Sequence, residues 1–193
     1  MSEPLRIGIV LGSTRQGRFS ERAGAWLLER AARHVDVAFE RVDLRDYPLP
    51  FFDEPRSPLR EPSRHPVAVR WSAKVASLDG FVFVHGEYNH GIPASLKNAL
   101  DYLYAEWNRK PCGSFSYGNA GGARGVEQLR ANAIELQMAP VRHAVHLSGT
   151  DYLDVVLHGK ELAEVPRLEA AADLLLADLL WWARALRTAR TAT

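Results

Sequence analysis

LRIGIVLGSTRQGRFSERAGAWL, from Leu5 to Leu27, decides the fold. Its first seven residues are apolar apart from Arg6 and rich in β-branched side chains, and Gly12 closes them, as for a buried strand. From Ser20 the period changes. Ala23, Leu27, Leu28 and Ala31 place an apolar face on a helix running to about His34, with Ser20 as its N-cap. Between strand and helix lie two glycines, three hydroxyl residues and two arginines, a set suited to holding something.

The alternation continues. Residues 35–43 (VDVAFERVD) alternate as a strand with one more exposed face. Residues 46–66 are rich in proline and charge and read as a long loop, the kind that is usually functional or mobile. Pro66 opens a helix to about residue 78, and Asp79-Gly80 turns into the buried strand FVFVH at residues 81–85. A helix over 93–107, a strand over 112–117, a helix over 123–138, a strand over 141–147 and a long helix over 165–188 complete the pattern. Strands alternating with helices imply right-handed crossovers and a parallel sheet covered on both faces. Ligands of such sheets collect at the carboxyl ends of the strands, so the loops after strands one, three and four carry the interest.

The chain has 193 residues, enough for one domain, and no internal repeat. Lysine and arginine number 24 against 23 acidic residues, a net charge of +1. That balance gives no basic footprint for nucleic acid, and it lacks the acidity of a carrier that docks on basic partners. The one cysteine, Cys112, excludes an internal disulfide and suits a reducing compartment; its apolar surroundings favour a buried structural thiol over a reactive one. The N-terminal MSEPLRIGIVLG lacks the pattern of a signal peptide, and no segment approaches the roughly 18 apolar residues of a membrane span. The cytoplasm is the expected location.

The first loop fails both standard nucleotide templates. Gly12 and Gly17 have the spacing of a P-loop, but Arg18 and Phe19 stand where lysine and the magnesium-binding hydroxyl belong. The dinucleotide pattern fails at Thr14. What remains is an anion site: hydroxyls of Ser13, Thr14 and Ser20, guanidiniums of Arg15 and Arg18, and the free N–H groups of a helix start. Such a site suits a phosphate monoester held without metal; a capped turn with solvated arginines is the plainer alternative. In the second loop, Gly86 and Gly91 permit close backbone approach, Tyr88 offers a planar face, and His85 and His90 read as a core histidine and a solvated one. The third loop, SYGNAGGARG at residues 116–125, is a ribbon largely free of side chains that can face a flat, oxygen-bearing ligand.

Taken together, GSTRQGRFS, GEYNHGIPASLKNALDYL and SYGNAGGARG resemble the NADPH-dependent FMN reductase family of flavodoxin-like flavoproteins, which includes flavin, quinone, azo-dye and chromate reductases. The likeness spans residues 5–138. It implies an α/β flavodoxin-like three-layer sandwich, a five-stranded parallel sheet in the order 2-1-3-4-5, and a single FMN-binding domain over residues 1–193. It implies bound FMN, with NADPH or NADH as hydride donor. By position, Ser13, Arg15 and Ser20 would hold the phosphate with help from Arg18. Gly86, Glu87, Tyr88 and Asn89 would line the isoalloxazine and ribityl side, chiefly through backbone groups. Ser116, Gly118, Gly121 and Gly122 would border the pyrimidine edge. Gly86 departs from the family's usual proline, which predicts a looser loop. No long insertion splits the fifth strand.

The implied activity is hydride transfer from NAD(P)H to flavin, then electron transfer to a small-molecule acceptor, in ping-pong fashion. Flavin does this chemistry itself, so no side chain is assigned as catalytic and no metal is expected. The loops at 46–66 and 149–160 are expected to border the site and tune acceptor choice, with Phe51, Phe52 or Tyr152 as walls. The aromatic residues of the third helix (Tyr102, Tyr104 and Trp107) and the adjacent Trp181 and Trp182 suggest a homodimer or homotetramer; the tail TARTAT is expected to fray. Two alternatives stand beside the reductase: a non-enzymatic electron carrier, and a component that supplies reduced FMN to a partner monooxygenase.

Overall fold

The computed structural model describes residues 3–192, so Met1, Ser2 and the tail's Thr193 lie outside the described residues. Six strands and six helices follow one another. The first half comprises β1 (Leu5–Leu11), α1 (Ser20–Ala31), β2 (Val37–Asp43), α2 (Pro66–Ala76), β3 (Gly80–Gly86) and α3 (Ala94–Asp101). The second comprises β4 (Pro111–Tyr117), α4 (Ala123–Glu135), β5 (Ala139–Pro140), β6 (Val145–Leu147), α5 (Gly149–Leu157) and α6 (Pro166–Thr191). All pairings are parallel, in the order β2-β1-β3-β4-β5, with β6 also on β4. This is the flavodoxin-like order expected from the sequence.

Alternation along the central strands divides the core in two. Ile7, Ile9, Leu11, Val82 and Val84 pack with α1 and α6, whereas Val10, Phe81 and Phe83 pack with α2, α3 and α4. β3 and β4 are buried throughout, which is why they read as continuous apolar runs. Cys112 lies inside the second layer as a free thiol, and burial pushes its pKa up to about 12. Such a thiol stays protonated and inert.

Several expected boundaries change. The fifth strand is two short pieces, Ala139–Pro140 against Pro111 and Cys112, and Val145–Leu147 against Phe115 to Tyr117. Between them Arg142 gives its carbonyl to Arg130 of α4 rather than to the sheet, and His143 turns to Asp178 of α6. The third helix stops at Asp101 instead of reaching residue 107. The indole N–H groups of Trp71 and Trp107 bond the Ala99 and Leu100 carbonyls, which a longer helix would have used for its own next turn. Tyr102, Leu103 and Trp107 are core residues and Tyr104 is half-buried, so most of the aromatic face read as a subunit contact is not on the surface. Trp181 and Trp182, by contrast, are 63% and 41% exposed on α6.

Residues 149–157, expected as loop, form α5. The tail is helical to Thr191 rather than frayed, anchored where Arg190 bonds the Arg109 carbonyl and Asp79. Among the described residues no helix is long and apolar enough to cross a membrane.

Candidate functional site

The loop between β1 and α1 is shaped by two arginines that grip it from outside. Arg18 is buried, with all five guanidinium donors engaged: Ser13 O at 2.6 Å, both oxygens of Asp43, and Glu21 through Nε and Nη2. Arg45 takes the carbonyls of Thr14 and Arg15. Three successive carbonyls are therefore held outward. Because the peptide unit is planar and trans, the N–H groups of Thr14, Arg15 and Gln16 face the opposite way, that of Arg15 donating to Ser13 Oγ over a long 3.4 Å. A row of inward N–H groups is an anion-binding concavity. The charges of Arg18 and Arg45 are balanced by Asp43 and Glu21, which leaves Arg15 as the loop's uncompensated cation.

Arg18 was expected to assist at the phosphate. Its donors are taken, so it supports the loop instead. Ser20 also departs from expectation: it is the first residue of α1 and caps nothing, since Phe19 precedes it in helical conformation. Its Oγ is wholly buried and lacks a hydrogen-bond partner, as does the hydroxyl of neighbouring Tyr117. Burial raises the Tyr117 pKa, so its hydroxyl stays protonated; it and the Ser20 hydroxyl lie close together beside a helix N-terminus, where either can turn to bond a ligand oxygen.

After β3 the chain makes a two-residue turn. Tyr88 and Gly91 exchange backbone hydrogen bonds at 3.0 and 2.9 Å, and Asn89 and His90 both adopt positive φ, 50° and 67°. Asn89 and His90 are thus exposed at a tip, while Tyr88 remains at the cleft. Arg15 lies over the Tyr88 ring, 5.5 Å from its centroid, and donates to its hydroxyl at 3.2 Å. Glu87 points away: its carboxylate accepts from the N–H groups of Arg124 and Gly125 and so caps α4. Burial alone would raise its pKa, but those bonds and the Arg124 guanidinium hold it below the usual carboxylate range.

Gly86 does not loosen this loop. It is a buried strand residue paired with Tyr117, and a Cβ there would stand 2.9 Å from the Tyr117 ring. Glycine is what lets that ring lie against the backbone.

Beneath the turn, His85 is fully buried. Its Nδ1 lies 3.1 Å from the Gly86 carbonyl; a carbonyl only accepts, so Nδ1 carries the proton and Nε2 is the unpartnered acceptor. Burial lowers its pKa to about 4. The unfolded imidazole protonates near 6.5, so between those values the unfolded chain binds more protons and stability falls as pH falls. Urea midpoints measured from pH 7 to pH 4 should drop through that window, and His85→Phe should flatten the drop. An unchanged slope in the variant would show that other groups set it.

The third loop rests on Ser116, which is buried with its Oγ donating to the Gly121 carbonyl at 2.6 Å and lying 2.9 Å from His146 Nδ1. Ser116 supports this loop from below. Gly122 has φ 71°, and a Cβ there would come 2.7 Å from that of Ser116. With Gly118 and Gly121 it leaves a bare backbone ribbon.

A cleft of about 620 Å³ opens where Ser13, Arg15 and Tyr88 meet Tyr47, Leu49 and Phe51 of the loop after β2. Of the loop residues singled out from sequence, Ser13, Thr14, Arg15 and Tyr88 border this cleft; the ribbon of Gly118, Gly121 and Gly122 lies outside its lining. Phe51, expected as a wall, is one, and it is 81% exposed. Tyr152 instead stacks on Tyr117. Arg45, Asp43, Asn98, Tyr117 and His146 were not anticipated: an arginine amid many or a tyrosine in an apolar strand carries no local signal. Among the described residues no cluster of acidic, histidine or cysteine side chains could hold a metal.

The family model described as NADPH-dependent FMN reductase matches residues 5–151. A Schizosaccharomyces pombe NAD(P)H-dependent FMN reductase is 40% identical over 148 residues, 74% of this chain and 73% of its own. A Burkholderia 2-hydroxy-1,4-benzoquinone reductase is 32% identical over 170 residues, 88% of this chain and 82% of its own. Among solved structures, the Paracoccus denitrificans flavoenzyme FerB, an NAD(P)H:(acceptor) oxidoreductase, is similar in fold, with a TM-score of 0.67 at 17% identity over 91% of this chain and 97% of its own.

Proposed function

Because the chain belongs to the NADPH-dependent FMN reductase family, an oxidoreductase family that uses FMN and NAD(P)H, we propose that it reduces a planar quinone or flavin through bound FMN. The observation that carries the site is the first loop, with three carbonyls clamped outward and a buried Ser20 hydroxyl left without a partner. Those groups fit a phosphate monoester.

In this proposal the N–H groups of residues 14–16, Ser13, Ser20 and Arg15 bind the phosphate. The backbone of residues 86–89 lies along the ring and ribityl side, and the ribbon of Gly118, Gly121 and Gly122 borders the pyrimidine edge; the Gly118 and Gly121 N–H groups are held by the Leu147 and Gly118 carbonyls, which leaves those of Asn119, Ala120 and Gly122 as the donors there. FMN, when bound, supplies hydride acceptance and electron donation that no side chain can. N–H donors at the pyrimidine edge would stabilise negative charge there, as in an oxyanion hole. NAD(P)H and the acceptor use one opening in turn, which gives ping-pong kinetics. The mostly apolar cleft beside Phe51 suits a flat aromatic acceptor, in keeping with the relatives named for quinones.

The proposal takes residues 1–193 as one flavin-binding domain acting in the cytoplasm. It is a homodimer or homotetramer whose contact includes the exposed indoles of Trp181 and Trp182. The test is the visible spectrum of the purified protein before and after anaerobic NADPH. A flavin spectrum that bleaches, and recovers on adding 1,4-naphthoquinone, is the expected result. A colourless protein that takes up no added FMN would sink the assignment; FMN bound only weakly would favour a supplier of reduced FMN to a monooxygenase.

A further inference from the structure

One face of α3 holds two of the loops that surround the cleft. Ser95 and Asn98 on the helix and Tyr102 at its C-cap, still in helical conformation, are three and four residues apart and so stand in line. Ser95 donates to the Gly12 carbonyl at 2.8 Å, tying down the start of the phosphate loop. Tyr102 packs edge-on against Phe52, with centroids 5.2 Å apart. Between them Asn98 makes a paired contact with the loop after β2: its Oδ1 accepts from Phe52 N at 2.9 Å, and its Nδ2 donates to the Pro50 carbonyl at 2.7 Å.

The carboxamide therefore treats residues 50–52 as a neighbouring strand would, with one donor and one acceptor in register. Phe51 sits between these two bonds, its ring exposed at the cleft. A solvent-facing segment rich in proline has few other means of holding a ring still, since Pro48 and Pro50 carry no N–H.

Resting on the quinone or flavin reduction proposed above, we infer that Asn98 is a positioning residue that sets acceptor selectivity. It touches no reacting atom. It fixes the backbone on either side of Phe51 and thereby the width of the cleft offered to a flat acceptor. One acceptor and one donor of its carboxamide hold the loop, and its effect is exerted through the wall it shares with Phe51.

The test compares wild type, Asn98→Ala and Asn98→Asp, each loaded with FMN. Chymotrypsin reports the loop directly, by its rate of cleavage after Phe51 or Phe52. Kinetics report the cleft, through KM and kcat for 1,4-naphthoquinone, beside the Kd for FMN. Asn98→Ala should be cut at least tenfold faster and should raise KM about tenfold, the effect of losing one or two loop hydrogen bonds. Its kcat and FMN affinity should stay within twofold.

Asn98→Asp separates hydrogen bonding from space-filling. Aspartate has nearly the same shape and can accept from Phe52 N, but it cannot donate to the Pro50 carbonyl. It should behave like the alanine variant, and it keeps the test open if alanine fails to fold. Aspartate indistinguishable from wild type, unchanged cleavage in both variants, or KM, kcat and FMN affinity all falling off together would overturn the inference. A wild type that turns over no quinone would instead sink the functional proposal, and the cleavage rates would then decide Asn98 alone.

Discussion

Arg18→Ala should destabilise the protein by about 3–5 kcal/mol, the cost of leaving a buried carboxylate without its partner. The carboxylate is Asp43, whose side chain is 8% exposed against 1% for Arg18. The loss compounds, because Arg18 also holds the Ser13 carbonyl and Glu21. It would be read as a lower urea midpoint with the m-value unchanged. Adding Asp43→Ala should recover part of it, since the orphaned charge then goes too. A shift under about 1 kcal/mol would mean that water screens the pair as it does a surface salt bridge.

Arg15→Ala should leave that midpoint alone and act on the ligand. Arg15 is exposed, and its guanidinium contacts the Tyr88 ring and hydroxyl. A hydrogen bond to a charged group contributes about 1.5–3 kcal/mol, so FMN affinity should fall by about tenfold to a hundredfold. Riboflavin lacks the phosphate and should bind the variant as it binds wild type. Titrating both flavins into apoprotein decides the matter. Equal weakening of the two would move Arg15 from the phosphate to the ring. No weakening of either would remove it from the site.

The two arginines show where the sequence stops speaking. Both stand in GSTRQGRFS, three residues apart, and as letters they are equivalent anion ligands. What divides them is Asp43, 25 residues from Arg18 and brought beside it by the pairing of β1 with β2. Long-range partners of that kind are invisible to spacing. The strand period, by contrast, is local: β1, β3 and β4 were legible because both faces of each are almost wholly buried, which makes nearly every residue apolar or small, Arg6 and His85 apart.

Helix ends were legible only where local rules governed them. Pro66 starts α2 as expected, whereas α3 ends because Trp71, from another helix, takes the Ala99 carbonyl. The fifth strand was misplaced for a similar reason, its pairing being interrupted by Arg130 from α4. In the candidate site, glycines and hydroxyls announced the loops, but not which side chains face inward. The Glu87 carboxylate caps α4, which leaves its backbone for the role expected of it, and the Ser116 hydroxyl holds the Gly121 carbonyl.

The contact between Gly86 and the Tyr117 ring has a consequence for how this lineage changes over time. Position 86 has room for hydrogen alone while a tyrosine lies across it. A mutation to proline, or to any residue with a Cβ, would meet that ring before any benefit could be selected. The exchange is open only along one route, with the ring at 117 shrinking or swinging aside first. Two positions 31 apart in sequence are thus coupled by contact, which constrains the order in which both could be substituted.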